Sequence, residues 1–158
     1  MWINPKADGQ TPMCEALNRT KAILEKWVTE HDSAFPPIVI NLTDGEANDG
    51  DPSIPAKEIK SLYTNDGNVV LMTVHVSSNS FAKQIMFPNV SEGLPDDHSK
   101  VMFDMSSPLI ENMIEVANNE WGLSIKKGAK GFVYNSGIEG IVEILDIGTR
   151  GGSRNVLR

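Results

Sequence analysis

One cysteine, Cys14, is all that the 158-residue chain contains. No internal disulfide can form, and a reducing compartment is expected. No apolar run approaches the ~18–20 residues that a membrane span needs. The longest, from Val69 to Val76, is interrupted by Thr73 and His75. The first residues, MWINPKADGQ, lack the basic start and apolar stretch of a signal peptide, so a cytoplasmic location is expected. Positive charge is also in short supply: 14 Lys and Arg face 21 Asp and Glu, a formal net charge of −7. An acidic chain of this kind repels phosphate backbones, which argues against nucleic acid as a partner. The phosphate- and dinucleotide-binding glycine patterns are missing, as is the G-x-S-x-G nucleophile turn. With 40% apolar and 22% charged residues, what remains is the composition of one globular domain with one core.

Thr11-Pro12 has the form of a helix start, a hydroxyl at the N-cap followed by proline at the first helical position. Met13, Ala16, Leu17, Leu24, Trp27 and Val28 share a face at helical spacing, so a helix is expected to about Glu30. Ile38 to Leu42 (IVINL) lacks alternation and is expected to be a strand covered on both faces. It ends in the acidic, turn-rich loop from Thr43 to Pro52. A helix over 53–63 follows, with Ile59, Leu62 and Tyr63 facing inward, and then the strand NVVLMTVHV at 68–76. Phe81 to Phe87 fits either a short helix or a strand, and Pro88 to Lys100 has the composition of a surface loop. Ser107-Pro108 repeats the cap-plus-proline start, leading a helix that carries Ile110, Met113, Ile114, Ala117 and Trp121. GFVYN at 131–135 is a third strand; Ile138, Ile141, Val142 and Leu145 mark a last helix that Gly148 is expected to stop. Alternating helices and strands predict an α/β fold of three αβα layers around a mostly parallel open sheet. Residues 1–148 form the expected domain and 149–158 a flexible tail.

Open parallel sheets bind ligands beyond the carboxyl ends of their strands. Two oxygen donors are expected at that edge, the hydroxyl of Thr11 and the carboxylate of Asp44, the first acid after IVINL. Together they suit a hard divalent cation. The alternative is a capping threonine and an ordinary loop aspartate. His75, at the end of a buried strand, is weighed as a satisfied structural histidine or as a general base. Glu46, Asp49 and Asp51 do not fit the EF-hand spacing and have the composition of a solvated loop. Cys14 lies near a helix start that could lower its pKa, but with no His or Asn motif to match it a packing role is expected.

The wording of two segments adds a family. GQTPMCEALNRTKAIL followed by PPIVINLTDGEANDGDP resembles the second half of a von Willebrand factor A domain. There a G-x-T-P-M helix start supplies a threonine, and a strand ending in T-D-G an aspartate, to the metal-ion-dependent adhesion site. The resemblance covers most of residues 9–148 and assigns Thr11 and Asp44 to that site. It implies a Rossmann-like sheet in the order 3-2-1-4-5-6, of which only strands 4, 5 and 6 are represented, the N-terminal strands being missing. The site's D-x-S-x-S element belongs to the missing part; Asp104-Met105-Ser106-Ser107-Pro108 is the nearest stretch and is expected to be a plain helix start. Binding of Mg²⁺ (or Mn²⁺ or Ca²⁺) by this chain alone is therefore expected to be weak or absent.

The resemblance implies a protein–protein interaction module, not an enzyme, whose partner supplies an acidic residue to the cation. The alternative is a metal-free structural domain of a larger complex. A hydrolase built on His75 has the least support. The strand at Ile38–Leu42, having lost a neighbour, is expected to self-associate or to take up a complementing chain.

Overall fold

The computed structural model describes residues 9–76 and 83–151 of the chain. Helix α1 (Met13–Glu30) leads to strand β1 (Ile38–Thr43), helix α2 (Ser53–Ser61) and a two-residue hairpin of β2 (Tyr63–Thr64) and β3 (Gly67–Asn68). Strand β4 (Val70–Val76), strand β5 (Ile85–Met86), helices α3 (Asp97–Met105) and α4 (Glu111–Glu120), strand β6 (Phe132–Ser136) and helix α5 (Ile138–Gly151) complete it. The main sheet has four strands in the order β1-β4-β6-β5. β1, β4 and β6 are parallel, and the short β5 joins the far edge antiparallel to β6.

Alternation along β4 decides how the layers form. Val70, Met72 and Val74 turn to one face, where Met113, Val116 and Ala117 of α4 and Ile144 and Ile147 of α5 cover them. Val69 and Leu71 turn to the other, against Met13, Leu17 and Leu24 of α1, Ala56 and Ile59 of α2 and Met105 of α3. A third cluster packs Met102 and Phe103 of α3 onto Phe132 of β6. Each fully buried aliphatic side chain here contributes ~1.5–3 kcal/mol. Helices thus lie on both faces of a mostly parallel open sheet, as the alternation of elements predicts.

Several local expectations are corrected. β1 sits at the sheet edge and is only half-covered, with Leu42 48% exposed, because a strand with one neighbour has an open flank. Residues 97–100, taken for loop, open helix α3: Asp96 caps it by accepting the Ser99 N–H at 2.7 Å while Ser99 returns the contact. Asp104 lies in the last turn of that helix, not at a helix start. Ser107-Pro108 does not cap α4, whose N-cap is Ile110. Instead Ser107 wedges between the ends of two strands: its N–H donates to the Leu71 carbonyl, its hydroxyl accepts the Leu71 N–H, and its carbonyl accepts the Gly131 N–H.

Gly148 does not stop α5, which runs on to Gly151. A Cβ at Gly148 would sit 3.5–3.7 Å from Ile40, Ile38 and Met72, so the glycine marks where the helix crosses the sheet closely. Residues 149–151 continue that helix, and 152–158 of the expected tail lie outside the described residues. Tyr63, expected inward, is exposed beyond the end of α2. Trp121 is also surface-borne, its Nε1 donating to the Asp146 carboxylate at 3.0 Å. Trp27 is half-buried and stacks on His31. The choice between helix and strand for 81–87 is answered in part: Ile85–Met86 is strand, and 81–82 lie outside the described residues.

Candidate functional site

The carboxyl ends of β1, β4 and β6 point to one rim of the sheet, and the loop after β1 builds the site there. At Thr43 the strand turns: the buried hydroxyl donates to the Gly45 carbonyl at 2.7 Å and accepts the Gly45 N–H at 3.2 Å. This small turn leaves Asp44 exposed at its apex. Further along, Asn48 brackets Thr11. Its backbone N–H donates to the Thr11 carbonyl at 3.2 Å, and its amide, oriented to satisfy both groups, pairs with the Thr11 N–H at 2.9 Å and carbonyl at 3.1 Å.

Thr11 is not the cap of α1, a correction to the expected helix start. The N-cap is Pro12, without a side-chain hydrogen bond. The first free N–H groups are taken from outside the helix by Asp49, whose carboxylate oxygens accept from Cys14 N–H at 3.0 Å and Glu15 N–H at 2.8 Å. Burial works against ionising Asp49, but those two backbone donors outweigh it and hold its carboxyl below the usual range. Burial, followed by the Asp49 carboxylate, pushes the Cys14 thiol up, opposite to the lowering that a helix start alone could give. Asp51 in turn accepts the Ser53 N–H at 2.9 Å at the start of α2. Two acids assigned to a solvated loop are therefore helix anchors. An Asp before Pro52 was a legible signal for the second; nothing local points to the first or to Asn48.

Thr11, relieved of capping by Asp49, lines a cavity of about 450 Å³ together with Asp44. Gln10, Asn41, Leu42, Thr43 and Val76 contribute further walls. The two predicted site residues are thus brought to one cavity at the open end of β1. A Cβ at Gly45 would lie 3.4 Å from the Thr11 Oγ1, so that side chain and the turn after Asp44 are in near contact. Among the described residues, no group of three or more His, Cys, Asp or Glu is arranged to hold a metal ion. Any cation at Thr11 and Asp44 must take its remaining ligands from amides, water or a partner.

His75, paired in register with Thr43, belongs to a neighbouring cluster. Its ring stacks on Tyr134 with centroids 4.6 Å apart and meets His98 of α3 edge-on at 6.2 Å. His98 was expected in a polar loop; it stands in the first turn of α3. Asn135, held at φ 53°, turns its N–H to the His75 Nδ1 at 3.3 Å. A ring accepting at Nδ1 carries its proton on Nε2, which suits a hydrogen-bond donor and not a metal ligand. Burial, then the nearby His98, lowers the His75 pKa from 6.5, against a smaller pull from Asp96 and Asp44. The folded state therefore prefers the neutral ring. Stability is expected to be fully present above about pH 6.5 and to fall with pH down to the folded-state value. Chemical denaturation at a series of pH values should show this slope in the wild type and lose it in His75→Gln.

Compared with protein-family models, curated proteins and solved structures, the chain matches none.

Proposed function

We propose that this chain is a protein–protein interaction module, the rear portion of a fold resembling the von Willebrand factor A domain. In this reading it engages a partner's carboxylate through a divalent cation held by Thr11 and Asp44. One observation carries it: Thr11 and Asp44 line a single cavity at the carboxyl rim of a mostly parallel sheet, the rim where such sheets bind ligands. The spatial succession β1, β4, β6 agrees with strands 4, 5 and 6 of the implied order. The donors are oxygens, with the Gln10 and Asn41 amides on the same walls, and that chemistry suits Mg²⁺, Mn²⁺ or Ca²⁺. When bound, the ion supplies a positive charge that an incoming carboxylate completes. The chain's own part is to hold the two donors. Asn48 fixes the backbone of Thr11, and the Thr43 hydroxyl shapes the turn that presents Asp44. The function is binding, not catalysis, and the acidic, single-cysteine composition fits a cytoplasmic setting.

Two protein donors without a partner give weak affinity, with Kd on the order of 1 mM. Adding Mn²⁺ to isotope-labelled protein should broaden amide signals of residues 10–13 and 43–45 first. Asp44→Ala should abolish that pattern and Thr11→Ala should weaken it, both leaving the fold intact. Broadening centred instead on Glu46, Asp51 and Asp96, and indifferent to Asp44→Ala, would put the cation elsewhere.

A second reading, a metal-free scaffold domain, is favoured by one observation: Asp49 and Asp51 of the same loop already serve to anchor α1 and α2. Under it, Mn²⁺ produces no localised broadening at all.

A further inference from the structure

We infer that two copies of this chain associate through the open edge of β1, antiparallel about a two-fold axis normal to the sheet. The four-stranded sheets then run on as one of eight strands, with the two α5 helices side by side.

β1 hydrogen-bonds to β4 alone among the described residues, and its register with β4 is unbroken from Ile38 to Thr43. Natural edge strands carry lysine, proline, a bulge or an inward charge to refuse further pairing. The stretch IVINLT has none of these. Leu42, on the same face of the strand as Ile38 and Ile40, is already half in solvent.

The flank beside this edge is apolar too. On α5, Ile138 is 72%, Val142 47% and Leu145 42% exposed. Their spacing of four and three residues makes one stripe. The stripe faces neither neighbour of the helix. Ile144 and Ile147 meet the sheet, and Asp146 and Arg150 reach α4 through Trp121 and Glu120. A helix that buries one apolar face and displays a second has an unfilled contact.

Geometry selects a second copy as the occupant. Gly148 approaches Ile38 and Ile40 of β1 and Met72 of β4 together, so α5 crosses above the line between those strands. A two-fold axis normal to the sheet keeps each α5 on the same face. It separates the two helices by two strand spacings, or ~10 Å. Packed helices lie about 8–10 Å apart. One operation therefore pairs the strand edge and brings the two stripes into contact. The isologous arrangement must be antiparallel, because a two-fold along the strand would set N–H against N–H. With no charge in β1, self-pairing opposes no like charges across the new ladder. The net charge of −7 on each copy opposes approach at long range, so added salt should favour the pair.

Sedimentation velocity on the full chain over a concentration series, at low and high salt, tests this. The expected result is a monomer–dimer equilibrium that salt shifts toward dimer. Val142→Glu on the stripe and Leu42→Lys on the edge should each weaken it by at least about tenfold. Both positions are exposed in the single chain, so circular dichroism and melting of the variant monomers should match the wild type. A monomer at every concentration and salt overturns the proposal. So does a dimer that survives both substitutions, or an edge occupied only by a different polypeptide.

Discussion

Replacing Phe132 by alanine should lower the unfolding free energy by about 3–5 kcal/mol, a large part of what holds a domain of this size together. Phe132 is completely buried in β6. Its ring meets Phe103 of α3 edge-on, with centroids 6.2 Å apart and planes at 82°, the orientation that aromatic quadrupoles favour. Leu94, Met102 and the partly buried Ile85 and Tyr134 complete its surroundings. Ile85 and Tyr134 are fixed in the sheet and Met102 in a helix already held at both ends, so they are not placed to collapse into the space. At its amino end Asp96 caps α3; at its carboxyl end Lys60 donates to the Asp104 carbonyl and Lys130 to the Ser106 carbonyl. A cavity should therefore persist and carry its full cost. With a slope of roughly 1–3 kcal/mol per molar urea, the unfolding midpoint should fall by at least about 1 M at an unchanged slope. Phe132→Leu should recover most of the loss. A shift of a few tenths of a molar would mean that α3 does not pack against β6 as described.

What the sequence made legible follows from how local each signal is. α1, β1, α2, β4, β6 and α5 announce themselves through periodicity and turn residues, because their burial is set by their own neighbours in the chain. α3 was missed. Its apolar residues, Val101, Met102, Phe103 and Met105, all fall in its second half, and its start is written as Asp96 and Ser99 inside a run of polar residues that composition assigns to a loop. The sequence left the faces of α5 unassigned for a related reason. Ile138, Val142 and Leu145 are as apolar as Ile144 and Ile147, and helical spacing alone does not say which of two apolar stripes meets the sheet.

The candidate site was readable in part. Thr11 and Asp44 were singled out by a strand-end carboxylate, a helix-start hydroxyl and the resemblance of their segments, and they do line one cavity. The residues that hold them there were not visible. Asn48 and Asp49 act across the fold on Thr11, Cys14 and Glu15, and such contacts leave no periodic trace. Asp49 is the decisive one. By accepting the first N–H groups of α1 from another loop, it takes the role that Thr11's place before proline predicts.

Ser107 offers the sharpest separation between the local signal and the fold. As the N-cap that Ser-Pro implies, its loss would cost about 1 kcal/mol, and aspartate would serve equally well. In the wedge between β4 and the start of β6 the same hydroxyl is the acceptor for the Leu71 N–H, at 3.0 Å and out of reach of solvent. Leu71 itself is fully buried. Ser107→Ala leaves that N–H without an acceptor and should cost about 1–3 kcal/mol. Ser107→Asp should cost more, since it forces a larger, charged side chain into a buried site. The order of stabilities is thus serine above alanine above aspartate, whereas a cap would rank aspartate with serine. Denaturant titration of the three proteins gives the ranking. Hydrogen exchange locates the effect, because the Leu71 amide should lose protection in Ser107→Ala before the rest of β4 does. An aspartate variant as stable as the wild type would return Ser107 to the surface and dissolve the wedge.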